Sequence, residues 1–378
     1  MLRYNAQKFL RRTDKMKIGF LIQTLSSGGA ERATVTLANE MHKKGQNVEI
    51  ITFNGDDSFY PLDEGVDIVN MDLEKFPSNP VLKVIGCIKR MFRIRKIIRS
   101  RQLDALVCMN SVLAGYGVFS TLFTNTVTIG SERNNPYKYF DSRILSAVKK
   151  ICAVLSDGYV FQTNAAMEYY PESVYDKAAV IPNAVFNPIV KEIEPAIFRQ
   201  KIIYGVGRLT GQKRFDCLID AFNIVSRNHP DYKLVIFGEG ELRDSLQNQI
   251  DVLGLSDKAL LAGANSQALR FVSKGSVFVL SSEYEGMPNA LMEAMAVGVP
   301  CVSTRCKMGP EELIENGENG ILVSDGCSAQ ELAEGILKII ENDILADKIS
   351  KNSRKLAETH SVSAITDTWI DYLESVVD

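Results

Sequence analysis

Short apolar runs alternate with stretches of helical period along the first half of the chain. Residues 17–25 form an apolar run of strand length, a glycine-led helical stretch follows, and residues 47–53 are typical of a second strand. This order predicts a β-α-β unit, whose crossover requires a parallel sheet. The series continues with buried, strand-length runs at residues 103–109, 126–132 and 157–163.

A second series with the same alternation starts at residue 201. Its predicted strands are residues 201–209, 232–240, 259–263, 276–282, 300–304 and 320–323. Two such series predict an α/β protein with two doubly wound, Rossmann-like domains. Ligands of such sheets bind beyond the carboxyl ends of the strands, so we expect the two domains to face each other across a ligand-binding cleft.

The points where the pattern changes set the expected domain boundaries. We predict an N-terminal domain at residues 1–185, a linker at 186–198 and a C-terminal domain at 199–360. The linker has the proline content and the lack of period typical of a connection between domains. Residues 361–378 have helical period and contain the only tryptophan, which predicts a terminal helix that could pack back on the first domain.

Composition narrows the class of protein. The chain has 378 residues, of which 46% are hydrophobic, enough for two cores of ordinary size. Its seven cysteines include no Cys-x-x-Cys pair, which favours reduced thiols in a cytoplasmic protein. The apolar runs are too short for a signal peptide or a membrane span, and only three histidines are available for a metal site. We therefore expect a cytoplasmic protein without a His-rich metal site, and we expect no cofactor.

Basic residues are concentrated in the first half of the chain, most densely at residues 81–101, where eight Lys or Arg occur without an acidic residue. Apolar residues recur in this stretch at helical spacing, at Val81, Val84, Ile85, Ile88, Met91 and Phe92. The pattern fits an interfacial helix on an anionic membrane surface. It equally fits a surface helix that packs on its own domain and exposes a solvated basic face. We expect no nucleic-acid partner.

The loop between the first predicted strand and helix contains Gly28 and Gly29. Glycines at this position let backbone N–H groups approach a ligand, and a helix N-terminus favours negative charge. The loop does not match the Gly-x-Gly-x-x-Gly fingerprint, so a dinucleotide site is a poor interpretation. A tight turn without a ligand is the structural alternative.

A second glycine-containing loop follows the predicted strand at residues 201–209. Gly207 precedes Arg208, and Lys213 follows after a short turn. Two cations at the end of one strand repel each other unless an anion lies there, and a diphosphate is such an anion. Gly238, at the end of the next predicted strand, is a further position where a nucleotide could approach the backbone. The alternative is a pair of solvated charges in an ordinary loop.

The stretch from Glu285 to Glu293 combines a turn with the start of a helix. Pro288 suits the first turn of that helix, and the free N–H groups near Asn289, Ala290 and Leu291 can bind phosphate oxygens. The two carboxylates lie on either side of this helix start, where they can accept hydrogen bonds from hydroxyls. A nucleotide sugar, with a diphosphate between two hydroxyl-rich groups, satisfies both features. The alternative is a capped helix that joins two buried elements.

These motifs resemble a known family. The Glu-x7-Glu pattern in EGMPNALMEAMAVGVP, with Arg208 and Lys213 upstream and GPEELIENGENGILV downstream, resembles glycosyltransferase family 4, which contains retaining enzymes of the GT-B fold. The likeness extends over nearly the whole chain, and its C-terminal pattern is highly specific. GGAERATVTLANEM and SERNNP resemble bacterial members that extend lipid-linked oligosaccharides or build capsule and O-antigen units.

The resemblance implies a role for each matching residue. Arg208 and Lys213 would bind the donor diphosphate and stabilise it as it leaves, whereas Glu285 would bind hydroxyls of the donor sugar. Glu293 would bind the ribose. No metal is expected, because cations and helix N-termini take its place. The strand-end glycines and the resemblance together predict the donor-binding positions Gly28, Gly29, Gly207, Gly238, Gly286, Met287, Pro288, Asn289, Ala290, Leu291 and Glu293.

The stretch TIGSERNNP departs from the family pattern. Many members have a histidine after this strand that helps to position the transferred sugar, whereas this chain has Ser131, Glu132 and Arg133. Glu132 or Arg133 could replace the histidine or face the acceptor, and both alternatives stay open. Arg305 likewise stands where relatives often carry an aspartate, which leaves donor selectivity open.

The residues and the resemblance together favour a retaining glycosyltransferase. Its expected donor is a UDP-sugar that carries a hexose or an N-acetylhexosamine, and its expected acceptor is a glycan linked to polyprenyl diphosphate. The alternatives are a nucleotide-sugar epimerase or hydrolase, against which the scarcity of histidines argues, and a catalytically silent nucleotide-sugar-binding protein. We expect the enzyme in the cytoplasm, and on the inner face of the cell membrane if residues 81–101 bind lipid.

Overall fold

The computed structural model divides the chain into two compact units. It describes residues 15–26, 28–73, 78–137, 142–186, 190, 192–194, 198–306, 308–326 and 328–378. The first unit comprises Met1–Ser131, Leu155–Gly158 and Ile370–Asp378, and the second comprises Glu132–Val154 and Tyr159–Trp369. Part of the predicted linker lies outside the described residues, and the domain boundaries given above stay a prediction.

Strands and helices alternate along the described residues, as the sequence predicts. The strands are β1 (Lys17–Ile22), β2 (Asn47–Thr52), β3 (Asp67–Asn70), β4 (Ala105–Cys108), β5 (Val127–Glu132), β6 (Gly158–Phe161), β7 (Ala178–Val180), β8 (Gln200–Val206), β9 (Lys233–Phe237), β10 (Ala259–Gly263), β11 (Gly275–Leu280), β12 (Cys301–Thr304) and β13 (Ile321–Val323). The helices are α1 (Gly29–Lys43), α2 (Pro80–Arg101), α3 (Ser111–Thr121), α4 (Arg143–Leu155), α5 (Asn164–Met167), α6 (Phe215–Asn228), α7 (Arg243–Val252), α8 (Ala268–Val272), α9 (Asn289–Ala296), α10 (Pro310–Leu313), α11 (Ala329–Ile340), α12 (Asp343–Ser353), α13 (Leu356–Thr359) and α14 (Val362–Val377). Short 3-10 helices include Glu172–Lys177 and Gly211–Lys213.

The strands form two parallel sheets, which confirms the predicted pair of Rossmann-like sheets. Sheet A has the order β3-β2-β1-β4-β5-β6-β7, and sheet B has the order β10-β9-β8-β11-β12-β13. In both sheets the order reverses beside the first strand of the series, between β1 and β4 and between β8 and β11. Ligands of open parallel sheets bind beyond the carboxyl ends of the strands at such a reversal.

Sheet B separates two apolar layers. Ile203, Val277 and Val279 face a core that includes residues of α6 and α11, whereas Tyr204 and Phe278 face a core that includes residues of α8 and α9. Successive side chains of a strand point to opposite faces, so a strand buried on both faces is apolar throughout. This is why the predicted strands of the second series are continuous apolar runs.

The sequence analysis missed strand β3. It is a short strand at the edge of sheet A, and its four residues are exposed or half-buried. A strand that buries little surface carries no clear apolar run, so the pattern gave no signal for it.

Helix α2 confirms the predicted helix, and most of its predicted apolar stripe is exposed. Ile94 and Ile98 in its C-terminal half are buried, whereas the apolar residues of its N-terminal half are exposed. The exposed residues are Val81, Leu82, Val84, Ile85, Ile88 and Phe92. Among the described residues, no helix is long and apolar enough to cross a membrane.

Five of the described cysteines are free, as expected of reduced thiols. They are Cys87, Cys108, Cys152, Cys301 and Cys306.

Gly238 permits a close approach between the loops that follow β8 and β9. Its φ is +149°, and a Cβ atom at this position would lie 1.8 Å from the carbonyl oxygen of Gly207. The backbone N–H of Gly207 donates to the carbonyl of Phe237 at 2.9 Å. Because a side chain at residue 238 meets backbone rather than a flexible group, the loops would have to separate to accommodate it.

We predict that Gly238→Ala lowers the free energy of unfolding by at least about 2 kcal/mol, since it combines an unfavourable φ with a backbone clash. Gly211→Ala is the matched control, because no atom lies within 4 Å of its added Cβ. Its effect should stay within about 0.5 kcal/mol. Urea unfolding followed by tryptophan fluorescence measures both, and equal midpoints for the two variants would contradict the close approach.

Candidate active site

Two loops meet at the point where the strand order of sheet B reverses. One follows β8 and carries Gly207 to Lys213, and the other follows β11 and carries Ser281 to Pro288. The predicted site residues of the second series therefore lie at the carboxyl ends of the two adjacent central strands. This is the position at which open α/β sheets bind their ligands.

A buried ion pair joins these two loops. Lys213 Nζ lies 2.6 Å from Glu285 Oε1, and their side chains are only 15% and 8% exposed. Ser282 Oγ donates to the same carboxylate oxygen at 2.6 Å. Among the residues that the structure describes, none pairs with Glu285 Oε2. The carboxylate thus has one oxygen occupied by two donors and another available to a ligand.

Further hydrogen bonds fix the two loops to each other. Gln212 Nε2 donates to the carbonyl of Tyr284 at 2.9 Å, and the N–H of Glu283 donates to the carbonyl of Gln212 at 2.9 Å. Ser281 Oγ donates to the carbonyl of Lys213 at 2.8 Å. The position of the ion pair is therefore set by backbone as well as by side chains.

Helix α9 begins after the short turn that follows Glu285, and it presents unused N–H groups. It starts at Asn289, with Pro288 as the N-cap and no side-chain cap, and its first internal bond runs from the N–H of Met292 to the carbonyl of Pro288 at 3.1 Å. Pro288 therefore lies one position earlier than predicted. No described residue accepts a hydrogen bond from the backbone N–H of Asn289, Ala290 or Leu291. Such a helix start favours anions.

The loop before α9 is held by packing on both sides. Met287 and Leu291 are buried in the core beneath sheet B, so their contribution to a site can come only from backbone. Gly309 has a φ of +74°, and a Cβ there would lie 2.2 Å from the carbonyl oxygen of Gly286. Glycine at residue 309 thus lets a neighbouring loop lie directly against the turn.

The remaining predicted residues have different environments. Arg208 is exposed and makes no ion pair with the described residues, whereas Glu293 is half-buried within α9. Gly28 and Gly29 belong to the first unit, where they begin α1 after strand β1. A Cβ at Gly28 would lie 2.1 Å from Glu31 Oε2, so a carboxylate stands beside this helix start.

Cys306 lies near the ion pair as a protonated thiol. Burial and, to a lesser extent, the neighbouring Glu285 raise its pKa to about 12. Cys306 is thus protonated at neutral pH and unsuited to act as a nucleophile. Within the described part of the chain, no group of three or more His, Cys, Asp or Glu could hold a metal ion.

Sequence reasoning missed a buried polar network beside the site, within the second unit. Asn183 Oδ1 accepts from Arg133 Nη2 at 3.0 Å and from Gln162 Nε2 at 2.6 Å. Asn183 Nδ2 donates to Asn289 Oδ1 at 2.9 Å, and Asn135 Nδ2 donates to the carbonyl of Glu285 at 3.2 Å. The signal for Arg133 and Asn135 is their place directly after the predicted strand at residues 126–132, whereas Gln162 lies inside a predicted strand and Asn183 had no such signal.

Glu132 has an internal role. Its carboxylate pairs with Lys149 and accepts a hydrogen bond from Tyr170 Oη at 2.6 Å. The side chains of Glu132 and Lys149 are 1% and 3% exposed, and burial with the neighbouring Tyr159 and Glu132 raises the pKa of Tyr170. Glu132 is therefore committed to neighbours of its own unit.

Family models match most of the chain in two parts. Residues 27–185 match the model described as Glycosyltransferase Family 4, and residues 190–356 match the model described as Glycosyl transferases group 1. A Haemophilus influenzae protein named as an uncharacterized glycosyltransferase is 28% identical over 355 residues, which are 93% of this chain and 98% of that protein.

A second relative has a named activity. It is a Campylobacter jejuni α-1,4-N-acetyl-D-galactosaminyltransferase that acts on GalNAc-α-(1→4)-GalNAc-α-(1→3)-diNAcBac-PP-undecaprenol. It is 26% identical to this chain over 363 residues, which are 96% of this chain and 99% of the Campylobacter protein.

The fold is shared with solved glycosyltransferase structures. Anabaena HepE in complex with UDP superposes with a TM-score of 0.75 at 19% identity, over 95% of this chain and all of that one. The two parallel sheets, each with its reversal of strand order, are thus those of the GT-B fold. The chain belongs to the glycosyltransferases, with a family 4 region at residues 27–185 and a group 1 region at residues 190–356.

Proposed function

We propose that this glycosyltransferase is a retaining enzyme that moves a hexose or an N-acetylhexosamine from a UDP-sugar to a glycan linked to polyprenyl diphosphate. The observation that carries the proposal is the buried pair of Lys213 and Glu285 beside the unused N–H groups at the start of α9. The UDP in the HepE structure and the undecaprenol-linked substrate in the name of the Campylobacter enzyme support the choice of donor and acceptor.

The donor fits the charges of this site. A diphosphate brings negative charge to the start of α9, where the helix N-terminus, the ammonium of Lys213 and the exposed guanidinium of Arg208 favour it. Glu285 Oε2 then accepts a hydrogen bond from a sugar hydroxyl, and Glu293 binds the ribose. Gly207 and Gly238 bring backbone close to the nucleotide, and the phosphate-binding role of Gly28 and Gly29 in the first unit stays a prediction.

The chemistry follows from the absence of a suitable nucleophile among the described site residues. Glu285 Oε1 already accepts from Lys213 and Ser282, and its Oε2 is assigned to a sugar hydroxyl. Cys306 is a protonated thiol. The acceptor oxygen therefore bonds to the anomeric carbon on the face that the phosphate leaves. The bond from that carbon to the phosphate oxygen breaks, and the departing phosphate takes the acceptor proton. Lys213 and Arg208 stabilise the charge that develops on the leaving diphosphate.

The acceptor fits helix α2. Its exposed apolar residues recur at helical spacing, from Val81 through Ile85 and Ile88 to Phe92. Lys89, Arg93 and Lys96 lie next to this stripe and are exposed. An apolar stripe flanked by cations suits the boundary of an anionic bilayer, where a polyprenyl-linked glycan would be met. We place the enzyme on the inner face of the cell membrane.

Product analysis tests the reaction itself. Purified protein is incubated with a panel of nucleotide sugars and lipid-linked acceptors, and mass spectrometry follows both substrates. We expect release of UDP and an acceptor heavier by one hexose or N-acetylhexosamine. A sugar that changes configuration while still attached to UDP, or that is released without an acceptor product, would point to epimerisation or hydrolysis instead.

We predict that Lys213→Met, Glu285→Gln and the double variant each lower the turnover number by about 10²- to 10³-fold, since each removes charge stabilisation or sugar positioning. The double variant matters because removal of one partner from a buried ion pair costs about 3–5 kcal/mol of stability. Loss of both charges avoids an unpaired buried ion, so that variant keeps its fold.

The control for these variants is Lys201→Met. Lys201 pairs with Asp231 at the surface, where the side chains are 61% and 53% exposed, and its loss should leave turnover unchanged. The initial rates of the variants and of wild type are compared, on proteins whose circular dichroism spectra confirm that they are folded. If the folded double variant transfers sugar at the wild-type rate, the assignment of Lys213 and Glu285 to the active site is wrong.

We predict that the triple variant Lys89→Gln, Arg93→Gln and Lys96→Gln binds anionic vesicles about 10²-fold more weakly than wild type. Each basic residue near an anionic surface contributes about 1 kcal/mol, and three contribute about 3 kcal/mol. Co-sedimentation with phosphatidylglycerol vesicles measures the partition. Neutral vesicles should show no difference between the two proteins.

A matched variant replaces three exposed lysines elsewhere, Lys233, Lys338 and Lys351, with glutamine. It has the same net charge as the α2 variant and should retain vesicle binding. An equal loss in both variants would show that overall charge, rather than helix α2, is responsible.

A further inference from the structure

Arg133 is a buried cation that uses few of its donors. The residue is 8% exposed, and its Nη2 donates to Asn183 Oδ1 at 3.0 Å. Its Nε and Nη1 are buried without a hydrogen-bond partner among the described residues. Buried polar groups in folded proteins are almost always hydrogen-bonded. A buried charged group without hydrogen bonds costs more stability than a neutral one. Arg133 Nε and Nη1 therefore lack acceptors, and a bound ligand can supply them.

No carboxylate of the described residues neutralises this guanidinium. The adjacent Glu132 is occupied by Lys149 and Tyr170. Burial alone lowers the pKa of Arg133 to about 10, so the side chain is still charged at neutral pH. A neutral hydroxyl could accept a hydrogen bond here, but only an anion also compensates the charge.

Arg199 of the same unit shows what a structural buried arginine looks like in this protein. Its Nη1 donates to the carbonyl of Gly275 at 3.2 Å, and its Nη2 donates to the carbonyl of Gly298 at 2.6 Å and to Ser350 Oγ at 2.9 Å. Burial lowers its pKa as well. The guanidinium of Arg199 joins three elements, whereas that of Arg133 makes one contact with the described residues.

The surroundings of Arg133 lead to the donor site. Its partner Asn183 donates in turn to Asn289 Oδ1 at 2.9 Å, and Asn289 is the first residue of α9. A Cβ added to Gly286 would lie 3.4 Å from the carbonyl oxygen of Arg133, so the backbone of Arg133 lies beside the turn that precedes α9. The guanidinium is thus attached, through one amide, to the helix start with unused N–H groups.

We propose that Arg133 binds the terminal phosphate of the nucleoside diphosphate, the phosphate that carries the sugar in the donor. The proposal rests on the proposed function for the identity of this ligand. The planar guanidinium still has Nε and Nη1 available, and phosphate oxygens match such paired donors. Arg133 then makes the site distinguish a nucleoside diphosphate from the corresponding monophosphate.

Calorimetric titration of wild type and Arg133→Met with UDP and with UMP tests this assignment. We expect the variant to bind UDP roughly 10- to 100-fold more weakly, the factor that one or two charge-assisted hydrogen bonds supply. Its affinity for UMP should stay within about twofold of wild type, because UMP lacks the terminal phosphate. Gln162 Nε2 still donates to Asn183 in the variant, so the network beside α9 is kept.

Two further variants sharpen the result. Arg133→Lys keeps the charge and should recover part of the lost UDP affinity. Arg199→Met removes a buried arginine with structural partners, and it should lower the melting temperature while the ratio of UDP to UMP affinity stays at the wild-type value.

Several results would overturn the assignment. Unchanged UDP affinity in Arg133→Met would do so, and so would an equal loss of UDP and UMP affinity, which indicates a structural role. A wild-type protein that binds none of UDP, GDP, ADP and dTDP would overturn the proposed function itself. If wild type binds one of the other diphosphates, that nucleotide and its monophosphate replace UDP and UMP in the comparison.

Discussion

The ion pair of Lys213 and Glu285 is the interaction on which the site depends. It joins the loops that follow β8 and β11, the two strands between which the order of sheet B reverses. Its near-complete burial makes either charge costly alone, so the loops are coupled electrostatically as well as by backbone hydrogen bonds. Glu285 Oε1 accepts from both Lys213 and Ser282, and Oε2 has no partner among the described residues, which is the basis for the proposed roles of the pair.

Most of the fold could be predicted from the sequence because both sheets are buried on two faces. Strands of such sheets are continuous apolar runs, and the runs at β1, β8 and β11 were recognised for that reason. Strand β3 escaped because an edge strand that buries little surface has no such run. The period predicts helix α2 but leaves open whether its apolar stripe is exposed or packed on the domain, since packing depends on the neighbours and not on the helix itself.

The site was predicted as a set of residues and not as a network. Glycines, cations and carboxylates at strand ends identified Lys213 and Glu285 separately, but nothing in their spacing showed that they pair with each other. The partners of Arg133 and of Asn289 in the polar network lie 50 and 106 residues away from them in the chain. Such contacts arise only when the sheets are assembled, which is why they required the structure.

A crystal structure of the protein with bound UDP would locate the diphosphate relative to the ion pair. We expect the diphosphate within hydrogen-bonding distance of Lys213 Nζ and of the backbone N–H groups of Asn289 to Leu291, with the ribose at Glu293. UDP bound elsewhere on the protein, or a diphosphate turned away from the start of α9, would contradict this expectation.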